Sequence, residues 1–320
     1  MLEFQKPPKD YSEVFLEDTD APLPSKLDFG TRYAFFSTIA KGGKSVIKSC
    51  KDLHLNRVIC FKTLRSEFEK DEIEQKRLIR EARVSAMLQH PNTIPTYELG
   101  RDLSGKYYFT MKLVHGYTLR DILNYRERYD LTQLVDIIAQ IGQALAYAHA
   151  HGVAHRDIKP ENLLVGPFGE VLLLDWGLAK VWKKDGSATE ELPNTTSFLG
   201  DRSMTGQGKL QGTLCYMSPE QIDRDPEISF ATDTYSLGSV LYEVLSGQTP
   251  FDGDSAQEII DAVKGDEPPP PSTVTKFRVP KLLEEVCMQS LKKDPAHRPE
   301  NMGEFISVLQ DTDWPRELLK

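Results

Sequence analysis

Between residues 155 and 177 the chain reads HRDIKPENLLVGPFGEVLLLDWG. Two apolar runs, NLLVG and EVLLLDWG, flank a turn at Pro167-Phe168-Gly169 and predict a small hairpin. Its ends carry groups suited to one kind of chemistry. Moving a phosphoryl group to a hydroxyl needs a carboxylate that orients the nucleophile and takes its proton, a cation for the γ-phosphate and oxygen ligands for a hard metal ion. Asp157 fits the first role, Lys159 the second, Asn162 and Asp175 the third. Asp175 ends an apolar run beside Gly177, which lets the backbone turn. A lone His-Arg-Asp or Asp-x-Gly is more often an ordinary loop. The two in order, with Asp175 thirteen residues after Asn162, select the chemistry.

Upstream, residues 33–63 fall into short apolar runs broken by Gly, Asn and Asp, a pattern of strands, with Gly42-Gly43 at a hairpin tip. Residues 67–90 shift to helical spacing through Phe68, Ile73, Leu78, Ile79, Ala82, Val84 and Leu88, and His90-Pro91-Asn92 ends that pattern. Strands follow in TIPTYEL and KYYFTMKLV, with a turn at Ser104-Gly105. Lys62 lies on a predicted strand and Glu81 in the helix after it; an ion pair between them would hold the ammonium against α- and β-phosphate oxygens.

Downstream, Leu131 to Ala148 forms one apolar stripe at helical spacing, and DTYSLGSVLYEVLSG is apolar nearly all round, as a buried helix is. Residues 181–211 form a polar loop too long to be a mere connection. A Pro-rich link at 268–271 precedes two further helical stretches ending near Gln310. The layout is α+β: a strand-rich lobe of about 32–113, then a mainly helical lobe of about 117–313, with a ligand expected in the cleft between them. The domain runs from 29 to 313. Residues 1–28, rich in Pro, Asp, Glu and Lys, read as a flexible arm in which Tyr11, Val14, Phe15 and Leu16 could dock, and 314–320 as a tail.

Composition narrows the function classes. Of 320 residues 39% are apolar, so a sizeable core is expected. Lys plus Arg number 39 against 48 Asp plus Glu, a net charge of -9 that repels phosphate backbones and argues against nucleic acid as a partner. Cys50, Cys60, Cys215 and Cys287 form no CxxC or metal-ligand spacing and read as reduced residues of a cytoplasmic protein. No apolar run approaches the ~20 residues of a membrane helix, and the start lacks a secretory signal.

From about Arg32 to about Gln310 the sequence resembles the eukaryotic-type (Hanks-type) protein kinase family, most closely its bacterial serine/threonine members. The resemblance implies a bilobal fold, ATP with Mg2+ (or Mn2+ as the alternative ion), and protein substrates. By resemblance Lys62 matches the β3 lysine and Glu81 the αC glutamate; Asp157 and Lys159 belong to the catalytic loop, with Asn162 and Asp175 as metal ligands. Ser218-Pro219-Glu220 matches the APE motif, Arg298 the arginine that pairs with it, and Asp233 the buried aspartate beneath the catalytic loop. Met111 falls at the gatekeeper position, so the backbones of Lys112 and Val114 should meet the adenine edge, walled by Ala40, Val46, Cys60 and Leu164.

The phosphate-covering loop departs from the family. Where glycines let backbone amides approach phosphates, Ala40 replaces the first and Ser45 the third, leaving Gly42 with Gly43 beside it. Lys44 at the tip is either solvated, the ordinary state of an exposed lysine, or adds charge near the phosphates. Trp176 stands for the usual Phe. Two readings follow: an active kinase, since every charged group for transfer is present, or a pseudokinase acting as a nucleotide-sensing or scaffolding module.

Lys159 within DIKPEN, Thr213 bridging Asp157 and Lys159 by its hydroxyl, and YMSPEQ resemble serine/threonine kinases. Arg156 before the catalytic aspartate implies a phosphate on the activation loop as counter-charge. The acceptors there are Thr189, Thr195, Thr196, Ser197, Ser203 and Thr205, with Thr205 expected as the main autophosphorylation site, modified within a transient homodimer. Many bacterial relatives continue into a membrane helix and sensor domain; the present sequence reads as a stand-alone kinase or as part of such a chain.

Overall fold

A computed structural model describes residues 27–183, 187–188, 212–311 and 313–317, together with Leu23. Thr189, Thr195, Thr196, Ser197, Ser203 and Thr205 lie outside the described residues, as do Tyr11, Val14, Phe15 and Leu16. The chain divides into two compact units, Met1–Gln89 with Ile94–Gly116, and His90–Thr93 with Tyr117–Lys320. The first is built on an antiparallel sheet and the second is mainly helical, so the protein is α+β.

In the first unit, a short helix α1 (Phe29–Arg32) leads into strands β1 (Tyr33–Lys41), β2 (Ser45–Asp52) and β3 (Arg57–Leu64). Helix α2 (Glu72–Met87) precedes β4 (Thr96–Arg101) and β5 (Tyr107–Met111), and the sheet order is β1-β2-β3-β5-β4. Gly42-Gly43 forms the β1–β2 turn, closed by the Gly42 N–H donating to the Ser45 carbonyl at 2.8 Å. Helix α2 starts later than its apolar period suggested. Asp71 accepts the N–H groups of Ile73 (2.9 Å) and Glu74 (3.2 Å), and Glu72 and Glu74 face the positive helix end, so the first turn is set by capping rather than by apolar spacing. The core is aromatic: Tyr108 stacks on Phe61 at 4.6 Å, and Phe29 and Tyr33 pack edge-on against Phe61. Both phenols of Tyr33 and Tyr108 donate to Glu98, which keeps their polar ends satisfied beside that core.

In the second unit, β6 (Tyr117–Thr118) leads into α3 (Leu119–Leu123) and then α4 (Leu131–Ala150), whose buried stripe matches the predicted one. Strand β7 (Val153–Ala154) comes next, and then the expected hairpin, β8 (Leu163–Val165) with β9 (Val171–Leu173), pairs Leu163 with Leu173 and turns through Gly169 at φ +87°. Strand β10 (Lys180–Val181) returns to β7. His90–Thr93 belongs here because the Leu173 N–H donates to the Asn92 carbonyl at 2.8 Å and Asn92 Nδ2 to that of Val171 at 2.8 Å.

The helix Ala231–Ser246 is buried from Thr232 to Ser246, as a helix apolar all round must be. Two of its buried serines bond back onto their own helix, Ser239 Oγ to the Tyr235 carbonyl (3.1 Å) and Ser246 Oγ to that of Tyr242 (2.8 Å). The sequence reading had no helix between 247 and 267, yet Ala256–Gly265 is helical, capped by Ser255 accepting the Glu258 N–H at 3.2 Å. A Cβ on Gly238 would stand 2.5 Å from the Ser290 Cβ of the helix Lys281–Ser290. Gly238→Ala should therefore force these helices apart and destabilise the unit by about 1–3 kcal/mol in urea unfolding. Trp176, Trp182 and Trp314, the only three tryptophans, all lie in this unit, so their fluorescence follows its unfolding.

Candidate active site

In the first unit Lys62 sits mid-strand in β3, between Ile47 of β2 and Phe109 of β5. Glu81 lies on the buried stripe of α2 with Leu78, Ala82 and Ser85. The two meet, Nζ to Oε1 at 2.5 Å, with both residues buried. Exposed Lys–Glu pairs contribute little, but here truncating one partner strands a buried charge.

Cys60 faces Met111 across β3 and β5, both buried, and burial pushes the Cys60 thiol up to about 11, so it packs as an apolar side chain and is no nucleophile. The Lys112 N–H donates to the Pro95 carbonyl at 3.0 Å, which leaves only its carbonyl for a ligand edge. Among the described residues the Val114 N–H has no main-chain acceptor. Ala40, Gly42 and Gly43 are exposed, and Val46 is half-buried. Lys44 corrects the solvated reading: its Nζ bonds Glu74 Oε1 of α2 at 2.9 Å, a partner thirty residues away that no local pattern marks.

In the second unit Asp157, Lys159 and Asn162 converge. The Asp157 carboxylate accepts Lys159 Nζ at 2.8 and 2.9 Å and Asn162 Nδ2 at 2.9 Å, and Asn162 Nδ2 also donates to the Asp157 carbonyl at 2.7 Å. With its amide nitrogen so used, Asn162 is left to offer its carbonyl oxygen. That oxygen and the Asp175 carboxylate are the hard donors a magnesium ion takes, so the residues fit such an ion. Leu164 is half-buried on β8, on the face opposite to buried Leu163 and Val165.

The loop is held from beneath. The Asp233 carboxylate accepts the N–H groups of His155 and Arg156 and His149 Nε2, each at 2.8 Å. Arg156 has φ +69° and Asp175 φ +63°, both in the left-handed region that non-glycine residues avoid, so these bonds offset backbone strain at the Arg156 position. His155 accepts the Asp157 N–H on Nδ1 (3.2 Å) and meets the Leu174 carbonyl with Nε2 (2.9 Å), an arrangement that places the ring proton on Nε2. Trp176, fully buried, packs edge-on against His155 at 4.5 Å.

Burial, aided by the charge of Asp175, pushes the Asp157 carboxyl above its ordinary value against the opposing pull of Lys159. Burial would also raise Asp233, but its hydrogen bonds and charge contacts with His149, His155 and Arg156 outweigh it and hold that carboxyl low. Thr213 is buried in a helical turn at 212–214, its carbonyl accepting the Tyr216 N–H at 3.2 Å.

Sequence reading missed several supports: His149 on Asp233, Gln221 Nε2 on the Arg156 carbonyl (2.8 Å), and a cluster in which Arg120 reaches Glu161 (2.9 Å), Glu243 (2.5 Å) and the Tyr216 hydroxyl. Each joins residues distant in the chain through side chains that locally read as solvated. Arg298 and Glu220 do pair as the resemblance implies.

This combination of an antiparallel unit bearing a buried Lys–Glu pair and a helical unit bearing the Asp157 loop defines a class. The sequence matches the protein kinase domain family over residues 33–312, and the chain belongs to that family. It is similar to the serine/threonine-protein kinase PknD of Protochlamydia amoebophila, 34% identical over 90% of this chain and 30% of the relative. A probable serine/threonine-protein kinase PknB of Lactococcus lactis is 34% identical over 87% of this chain and 42% of the relative. PknA of Mycobacterium tuberculosis, also named a serine/threonine-protein kinase, is 36% identical over 87% of this chain and 60% of its own length. The chain thus spans from under a third to three-fifths of these relatives.

Proposed function

We propose that this chain is a protein serine/threonine kinase, transferring the γ-phosphate of Mg-ATP to Ser or Thr hydroxyls of protein substrates. The observation that carries the reading is the Asp157 carboxylate oriented by Lys159 and Asn162, two and five residues away, on a loop pinned by Asp233. Asp157 orients the substrate hydroxyl and accepts its proton late in the transfer. Lys159 holds the γ-phosphate, Lys62 with Glu81 behind it holds the α- and β-phosphates, and the backbone of Lys112 and Val114 takes the adenine edge. Magnesium at Asn162 and Asp175, or manganese, neutralises phosphate charge when bound. Thr213, which the resemblance sets beside Asp157 and Lys159, bridges them by its hydroxyl in this reading and favours Ser or Thr as acceptor.

Autophosphorylation of the activation segment, chiefly at Thr205 with Thr195, Thr196 and Ser203 as further acceptors, supplies the counter-charge for Arg156 and takes place in a transient homodimer. The four cysteines are buried and none is in a disulfide, in keeping with a cytoplasmic, reducing setting. No helix among the described residues is long and apolar enough to cross a membrane.

Labelled ATP and magnesium test the reading on wild type and Asp157→Asn. Transfer by wild type alone supports it. Equal, negligible label in both favours instead a nucleotide-sensing pseudokinase, the reading that Ala40 and Ser45 leave open. Phosphate mapping by mass spectrometry after incubation with ATP should find Thr205 modified; an unmodified 189–205 segment would remove the switch.

A further inference from the structure

The loop that lost its glycines is tied down at several points within the first unit. The Gly42 N–H closes on the Ser45 carbonyl at 2.8 Å, the Arg65 N–H donates to the Lys44 carbonyl at 2.9 Å, and Arg65 Nη1 donates to the Gly43 carbonyl at 3.1 Å. These bonds fix the loop to the start of the segment after β3. The fourth tie is of another kind. Lys44 Nζ reaches Glu74 Oε1 at 2.9 Å, on α2. Glu74 and Glu81 are seven residues apart, two helical turns, and with Leu78 and Ser85 they form one buried stripe of α2. One helix face therefore receives two lysines: Lys62 on Glu81 and Lys44 on Glu74.

We propose that Lys44 is a positioning residue of the phosphate-covering loop, latching it through Glu74 to the helix that carries Glu81. The loop and the Lys62–Glu81 pair are then set together, and a displacement of α2 moves both. This order replaces what a glycine-rich loop obtains by closing freely over phosphates: with Ala40 and Ser45 restricting the backbone, an ion pair selects one loop position. Glu74 makes the latch releasable. Its Oε1 also accepts Arg77 Nη1 at 2.6 Å, so when Lys44 leaves, the carboxylate, whose side chain is only 8% exposed, keeps a cation. Lys44 itself, with its side chain 29% exposed, can re-enter water without stranding a charge.

The inference rests on the kinase reading, and its test separates the two. Mg-ADP is titrated into wild type, Lys44→Met, Glu74→Gln, the double variant and Lys44→Arg, and KM for ATP and kcat are measured on the same proteins. Lys44→Met and Glu74→Gln should each weaken Mg-ADP binding and raise KM by about three- to tenfold with kcat nearly unchanged, the double variant should be no worse than either single, and Lys44→Arg should restore binding. A loss of stability alone would leave KM in place. Unchanged binding in either single variant, additive losses in the double, or tighter binding in Glu74→Gln (the sign of a lysine serving the phosphates directly) overturns the latch. Wild type that binds Mg-ADP but transfers nothing sinks the kinase reading, and the titration still decides the latch; wild type that binds no Mg-ADP sinks both.

Discussion

Asp157→Asn is expected to lower kcat for phosphoryl transfer by about 10²–10⁴-fold, with KM for ATP changed far less. The carboxylate sits where two donors meet it, Lys159 Nζ and Asn162 Nδ2. An amide cannot take the substrate proton, and its own N–H2 would confront one of those donors. The size of the fall follows from losing the base while the loop that presents it stays pinned by Asp233. Steady-state transfer to a protein substrate measures it, with tryptophan fluorescence establishing that the second unit is folded. A variant retaining a tenth of wild-type kcat would remove Asp157 from the reaction.

The pH dependence follows from the same group. As the proposed proton acceptor Asp157 must be deprotonated, and burial with Asp175 nearby raises its pKa, so activity should fall as pH drops through a value above an aspartate's ordinary one. Lys159 pulls that value down. In Lys159→Met the residual activity should therefore lose its acid side at higher pH than wild type. A profile that shifts the other way would place the proton acceptor elsewhere.

The second large effect is on stability. Arg298→Met should destabilise the second unit by about 3–5 kcal/mol, because it strands a buried carboxylate. Arg298 has five N–H donors and all are used: Nη1 to Glu220 Oε1 (2.6 Å) and the Ala231 carbonyl (3.0 Å), Nη2 to Glu220 Oε2 (2.9 Å) and the Lys293 carbonyl (2.9 Å), Nε to the Lys292 carbonyl (2.8 Å). Its side chain is 0% exposed and that of Glu220 9%. Replacing both, as Arg298→Met with Glu220→Leu, should recover a substantial part of the loss, since no isolated charge remains. Urea unfolding read by fluorescence gives the comparison. If the double variant loses the sum of the two single losses, the pair is not acting as a unit.

Much of the site was legible because its chemistry is local. Asp157, Lys159 and Asn162 lie within six residues, and their mutual hydrogen bonds need little more than the turn that Pro160 begins. Strand and helix periods likewise exposed the β8–β9 hairpin, the α4 stripe and the buried helix from Ala231. The helix Ala256–Gly265 carries a period of its own, Ala256, Ile259, Ile260 and Val263 at i, i+3, i+4 and i+7, but it is only ten residues long and was passed over beside the longer apolar helix before it. The Glu220–Arg298 pair was legible only through resemblance, and Lys62–Glu81 could be offered as a pair but gained its weight from the other motifs, since partners seventy-eight and nineteen residues apart leave no spacing to read.

For the loop between residues 155 and 177, then, the sequence alone determined which groups are present and in what order, because residue type and short spacing decide the reach of a side chain. Only the tertiary structure decided their state. The left-handed backbone at Arg156 and Asp175, the Asp233 carboxylate beneath the loop and the ring proton on Nε2 of His155 all depend on chain segments folded against one another from a distance, and so, outside that loop, does Lys44 of the β1–β2 turn drawn onto Glu74. Burial in that fold, and not the local pattern, is what turns a lysine and a glutamate into a bound pair.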